Sequence, residues 1–310
     1  MRGEYKVPNW VGDGLLLVTA IVWGGGFIGV VEALDTFTPF YMIGVRFAVA
    51  SLLMMLCFFK KLKSIEKRDL FPGIASGVFL FIGFAFQTVG ATYLGVGKLA
   101  FLTALNVIIV PFIVWVCFKE KIKTYNLISS LVAVVGFGFL NLSQEAGFSI
   151  GVGELLGIGC AIGFAGQIAL LGHFASKNDP IRLAILQMIT CMILGFICAF
   201  LFETPPKGIT LNSMGPVAYL GVLSTFIAFL FQTIGQKYTS ASRAAILLSM
   251  ESVFGILLSV IILKEVLTVS MIIGATLIFA AVIIAEYMHA IHAAKYAARD
   301  IEKYTEQETA

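Results

Sequence analysis

Charge is what this sequence has least of. Only 13% of its 310 residues are Asp, Glu, Lys or Arg, where an ordinary soluble domain carries roughly 25%. Hydrophobic residues make up 59%, and the mean hydropathy is +0.97. That leaves too little polar surface to coat a water-soluble globule, so lipid is the solvent the composition predicts. The net charge of +3 comes with no basic stripe, which argues against nucleic acid as a partner. Cysteine is sparse and unpatterned: Cys57, Cys117, Cys160, Cys191 and Cys198 all sit in apolar runs with no CxxC. They read as small core residues, with no disulfide framework and no metal site. His173, His289 and His292 lie near span ends without metal-ligand spacing. No phosphate loop exists either. Gly95-Val96-Gly97-Lys98 lacks the spacing and the following Ser or Thr, so no nucleotide cofactor is expected. A cleavable signal is also missing, because Arg2 and Lys6 precede an apolar run that continues for a full span.

What the chain has instead is long apolar runs. About 20 such residues cross the hydrocarbon core as a helix, and ten runs of that kind can be drawn. They cover roughly 13–33, 39–59, 70–93, 97–118, 124–142, 152–173, 181–202, 213–236, 241–263 and 268–289. With the N-terminus placed in the cytoplasm, seventeen Lys and Arg fall on the inner side and three (Lys98, Lys207, Lys264) on the outer, leaving Arg46 within a span. This bias puts both termini in the cytoplasm of a multi-pass protein of the cytoplasmic membrane.

The chain also repeats itself. Shifted by 145 residues, Phe81–Glu120 falls on Phe226–Glu265 without a gap, with twelve of forty positions identical. Phe86-Gln87-Thr88 meets Phe231-Gln232-Thr233, and Lys119-Glu120 meets Lys264-Glu265. Earlier spans match more weakly, with Gly14 laid on Gly153, Pro39 on Pro180 and Arg46 on Gln187. Five spans per half is an odd number, so the halves run oppositely through the membrane and are related by a pseudo-two-fold axis in its plane. The predicted fold is therefore all-α, with ten transmembrane helices as two inverted five-helix repeats. The first repeat covers 1–145 and the second 146–290, followed by a polar cytoplasmic tail over 291–310.

These residues resemble the drug/metabolite transporter superfamily, specifically its EamA-type ten-helix carriers. The likeness rests on Trp23-Gly24, on Pro39 with Arg46, and on Gly97 to Leu105. It rests also on Lys119-Glu120, Leu248-Ser249-Met250-Glu251 and Lys264-Glu265. One position departs: the family often has Pro directly after the ninth-span Glu, and Ser252 stands here, leaving a kink there open. The resemblance implies a carrier whose substrates include amino acids, nucleosides and other small metabolites or drugs.

Polar side chains at bilayer depth need a partner or a purpose. Glu251 is central in the ninth span and Asn106, its repeat mate, in the fourth. Glu251 reads as a ligand for a substrate ammonium or a coupling proton, or else as a packing carboxylate, protonated or paired with Arg46. Arg46 reads as an ion-pair partner of Glu32 or Glu251, as a snorkelling cation, or as the receptor of a substrate carboxylate. Gln167 and Gln187 are deep enough to line a pocket or to join helices. Trp23, beside Gly24-Gly25-Gly26, either walls a pocket or packs. Gln87-Thr88 and Gln232-Thr233 read as helix glue.

The function these features predict is secondary transport of a small amphipathic metabolite by alternating access at a central site. An amino acid is the first expectation for substrate, with proton or ion coupling open. The alternatives are an exporter of hydrophobic cations or drugs and a lipid-handling or non-transport membrane protein. An enzyme is not expected, since no nucleophile with a base occurs at mid-membrane.

Overall fold

In lipid every backbone N–H and C=O must be satisfied within its own segment, and an apolar chain with few turn residues meets that demand only as helix. The computed structural model describes residues 9–94, 99, 102–141, 151–258, 261, 268–270, 272–285, 287–288 and 291, and these form no strand. Among the described residues, each of the ten predicted runs contains helix. The first half holds α1 (Asn9–Leu34), α2 (Pro39–Cys57), a short α3 (Phe59–Lys63), α4 (Lys67–Gly90), α5 (Asn106–Phe118) and α6 (Thr124–Asn141). The second holds α7 (Val152–Phe174) and α8 (Pro180–Phe202). After them comes a long helix wound as α9 (Leu211–Tyr219), a π-helical segment (Leu220–Ile227) and α10 (Ala228–Gln236). α11 (Ala241–Leu248), α12 (Met250–Leu258) and α13 (Ile272–Ala285) complete the order. Five helices are by themselves long and apolar enough to cross a membrane, and four shorter apolar helices lie in the first, fourth, fifth and tenth runs. Lys264-Glu265, Gly97-Lys98, His289, His292 and the tail lie outside the described residues.

The packing repeats itself across the halves. α4 packs on α7 and α8, while the α9–α10 helix with its π segment packs on α1 and α2. α5 packs on α7 as α11 and α12 pack on α1, and the pairs α2–α8 and α5–α11 map onto themselves. That is the contact pattern of a two-fold exchange of halves. Small residues let the crossings close. A Cβ on Gly163 would stand 2.4 Å from the Gly83 backbone nitrogen, and one on Gly12 would stand 2.9 Å from Tyr238 Cβ and from the Gly235 carbonyl. The mate of that last contact is Gly153 against Tyr93 Cβ. Gly12 is thus the counterpart of Gly153, and Gly14, which touches nothing within 4 Å, is not. The corrected shift of 141 also relates Pro39 to Pro180 and Arg46 to Gln187.

Charge collects at one end of the bundle. Asp179 caps α8 through the Ile181 N–H (3.0 Å) and pairs with Lys61. Arg182 bridges Glu66 (2.8 Å) and Asp69 (3.2 Å), which joins α8 to the start of α4. Arg182 holds the Glu66 carboxyl below its ordinary pKa. Burial alone would raise Asp179, but Lys61 and the helix N–H groups outweigh it and hold that carboxyl low. Asp13 and Arg243 pair at 2.8 Å between the starts of α1 and α11. At the opposite end Glu203, closing α8, reaches the start of α2. It accepts from the Phe40 N–H (2.9 Å), the Tyr41 N–H (3.0 Å) and the Thr38 hydroxyl (2.6 Å). Between the ends the outward surface is apolar (Leu56, Phe71, Leu131 and Phe200 are exposed), and Cys57 and Cys117 face outward with it rather than sitting in the core.

Candidate functional site

Two helices lose their regular winding in the middle of the bundle, one residue apart in the 145-residue register. Leu105 has ψ −15° and Ser249 ψ −17°, short of the usual α value near −42°. Three-residue bonds tighten both places, from the Ile108 N–H to the Leu105 carbonyl (3.0 Å) and from the Ser252 N–H to the Ser249 carbonyl (3.3 Å). Each is a one-turn 3₁₀ step, and it stands one residue before Asn106 in one half and two before Glu251 in the other. The question Ser252 left open is answered: the ninth span breaks without proline. In the fourth span Pro111 leaves the Val107 carbonyl without its helical donor, and the Ser130 hydroxyl supplies one at 3.1 Å.

Between these breaks lies a cavity with about 770 Å³ of atom-free space, its open part included. Trp23, Arg46, Asn106, Gln167 and Glu251 all line it. Gln187 does not. It is fully buried behind the wall, where it accepts from Gln167 (3.2 Å) and donates to the Thr233 hydroxyl (2.9 Å). The lining extends from Gln167, Gln232 and Ala245 past Trp23 to Val30, Gln87 and Thr103, and so toward the end away from the basic cluster. At the basic end the helices close. A Cβ on Gly172 would meet Ala241 at 2.5 Å, Gln236 donates to the Ile168 carbonyl (2.9 Å), and the Asp13–Arg243 pair lies beyond.

Arg46 departs most from expectation. It is 2% exposed, so it does not snorkel, and neither Glu32 nor Glu251 comes within ion-pair distance of it. Its Nε donates to Thr225 Oγ1 at 2.9 Å, its Nη2 reaches Ser224 Oγ only at 3.5 Å, and the guanidinium carbon lies 4.5 Å from the Phe84 ring centroid. The π segment makes these contacts possible, since a π turn carries an extra residue per hydrogen-bonded ring and re-aims its side chains. The same turn presents the Ser224 carbonyl to Trp23 Nε1–H at 2.9 Å. Trp23 rests on Phe229 (4.9 Å between centroids), and α12 and Tyr219 fill the space beside Gly24 and Gly25, so only Gly26 faces the cavity. Glu251 is half-buried on the same wall and makes no hydrogen bond or ion pair with any described residue.

Sequence reasoning missed five polar lining residues, Gln87, Thr103, Ser224, Gln232 and Ser249. Gln232 and Gln167 exchange amide hydrogen bonds at 3.1 and 3.2 Å. The signal for the glutamines was present, because a polar residue kept at one depth in both copies of a repeat calls for a partner or a purpose there. Thr88 and Thr233 are buried, as helix glue requires.

Comparison with known proteins settles the class. A model of the EamA-like transporter family matches this chain twice, at residues 10–142 and 151–287. The chain belongs to this family. An Archaeoglobus fulgidus protein described as an uncharacterized transporter is 36% identical over 282 residues, covering 91% of this chain and 88% of its own length. The uncharacterized transporter YoaV of Bacillus subtilis is 24% identical over 276 residues, with 86% and 92% covered. A solved crystal structure at 16% identity superposes with a TM-score of 0.77 over 89% of this chain and 96% of that one, a likeness of fold alone. Among EamA-type proteins, then, this is a polytopic, all-α membrane transporter built from two copies of one unit.

Proposed function

We propose that this EamA-type transporter carries a small zwitterionic metabolite, an amino acid or a close relative, in the central cavity. Residues 1–145 and 146–290 act as the two moving halves, with both termini in the cytoplasm. One observation carries the reading. A buried cation, Arg46, and a carboxylate, Glu251, line the same cavity, and no described residue neutralises either. Each buried charge calls for an opposite charge, and a zwitterion brings both. Its carboxylate meets the Arg46 fork, its ammonium meets Glu251, Asn106 and Gln167 hydrogen-bond it, and Trp23 walls its apolar part. Because the basic end is packed shut and the lining runs the other way, this conformer is open toward the outer face. Rocking of the halves then exposes the site to the inner face.

A hydrophobic cation fits worse, because Arg46 would repel it inside the same low-dielectric chamber. Uptake of a radiolabelled amino-acid panel into proteoliposomes tests the proposal. Wild type takes up at least one member, Glu251→Gln loses most of that uptake, and N-acetylated analogues, lacking the ammonium, do not compete. Competition by acetylated analogues as strong as by the parent compounds would remove Glu251 from the ammonium role.

A further inference from the structure

A second hollow lies at the basic end, outside the transport cavity, with about 390 Å³ of atom-free space. One wall belongs to the first half: the end of α5, the connection Glu120-Lys121-Ile122-Lys123, and Asn126 in the first turn of α6. The other wall is Ser240-Ala241-Ser242, at the start of α11 in the second half. Lys119 takes φ 59°, the one left-handed non-glycine residue among those described, and this cap turns the chain out of α5 so that the lysines flank the hollow.

The chemistry of the walls favours one kind of ligand. Lys121 and Lys123 are exposed and ion-paired with no described residue, and Lys123 lies 5.8 Å from the Tyr125 ring centroid. The Glu120 carboxylate is engaged elsewhere, 2.9 Å from His173 Nδ1. Two helices, α6 and α11, begin here and direct their positive ends to this region. The independent sign of a missing ligand is Asn126. Its side chain is 6% exposed and lines the hollow, and its Oδ1 is buried without a hydrogen-bond partner. An amide in that position accepts from a ligand hydroxyl or, turned over, donates to a ligand oxygen.

We propose that this hollow binds a phosphate group, held by Lys121 and Lys123, the Ser242 hydroxyl and the Asn126 amide. The Asn126 amide, turned over, donates its N–H to a phosphate oxygen. The site spans both halves on the face where the transport cavity is closed, so its occupant braces that closed face. A lipid headgroup and a soluble phosphate carry the same chemistry.

Both sources can be tested on the full-length purified protein. Midpoint unfolding temperature is measured in inorganic phosphate and in chloride at equal ionic strength. Lipid retention is read by native mass spectrometry after exposure to phosphatidylglycerol or phosphatidylcholine. The paired substitution Lys121→Ala with Lys123→Ala should melt like wild type in chloride and weaken phosphate-group binding roughly tenfold or more, with the paired Arg substitutions restoring it. A lysine-dependent shift with inorganic phosphate assigns a soluble ligand. Lysine-dependent retention of phosphatidylglycerol alone assigns a lipid headgroup. The site is refuted if neither response occurs, or if the alanine pair responds as wild type does.

Discussion

Replacing Arg46 by Met separates the two roles a buried guanidinium can have. Burying a charge without a counter-ion costs several kcal/mol even after relaxation. In the empty cavity that cost is offset by one charge-assisted hydrogen bond to Thr225, about 1.5–3 kcal/mol, and by the Phe84 face, about 2 kcal/mol where water is excluded. The Ser224 contact, at 3.5 Å, adds little. The terms nearly cancel, so Met, which has similar length and no charge, should change folding stability by no more than about 1–2 kcal/mol. A substrate carboxylate loses much more, about 2–5 kcal/mol for one partner of a desolvated charge pair, which is at least roughly 30-fold in affinity. The assay is paired: thermal unfolding of the substrate-free variant, and substrate-induced stabilisation with counterflow in proteoliposomes. Arg46→Lys keeps the charge but loses the fork and should fall between the two. A variant that keeps its affinity for the carboxylate substrate would refute the reasoning. So would one that unfolds far more readily than wild type while binding normally, since Arg46 would then be a structural post.

Three further outcomes follow from the packing and the ends. Gly163→Ala should destabilise by about 1–3 kcal/mol or more, the cost of overpacking, because its Cβ meets the Gly83 backbone; Gly14→Ala, facing open space, is the control, both read by thermal unfolding. Glu203→Ala should cost about 1–2 kcal/mol, the usual loss for a helix cap, and should raise hydrogen exchange at the Phe40 and Tyr41 amides specifically. Glu66 and Asp179 have lowered pKa values, so their contribution is complete above their ordinary pKa near 4 and is lost as pH falls through the lower folded values. The melting temperature should drop below about pH 4, and Lys61→Ala, which removes one cause of the lowering, should flatten that drop.

The helical fold was legible because hydropathy answers the first question a membrane imposes, which segments cross it. The 145-residue register was legible where copies remain similar, from Phe81 onward. It failed at Gly14 because the first and sixth spans are apolar all round, so sliding one by two residues changes no hydrophobic pattern. Gln187 failed for a related reason. Its depth could be read, but the face it occupies could not, and that face points to Gln167 and Thr233 behind the cavity wall. Arg46 stayed open among three readings because a π turn that lets Thr225 and Ser224 meet it leaves no trace in composition. The broken fourth and ninth helices carry no proline at the break, since a 3₁₀ step needs only a shift in ψ.

A carrier of two identical inverted halves would face inward and outward at equal energy, each conformer being the other turned over. Here the self-mated pair α2–α8 is fastened differently at its two ends, by a carboxylate on backbone amides at Glu203 and by a lysine on a cap at Asp179. With the halves rocking as proposed, that inequality gives the empty protein a preferred resting side.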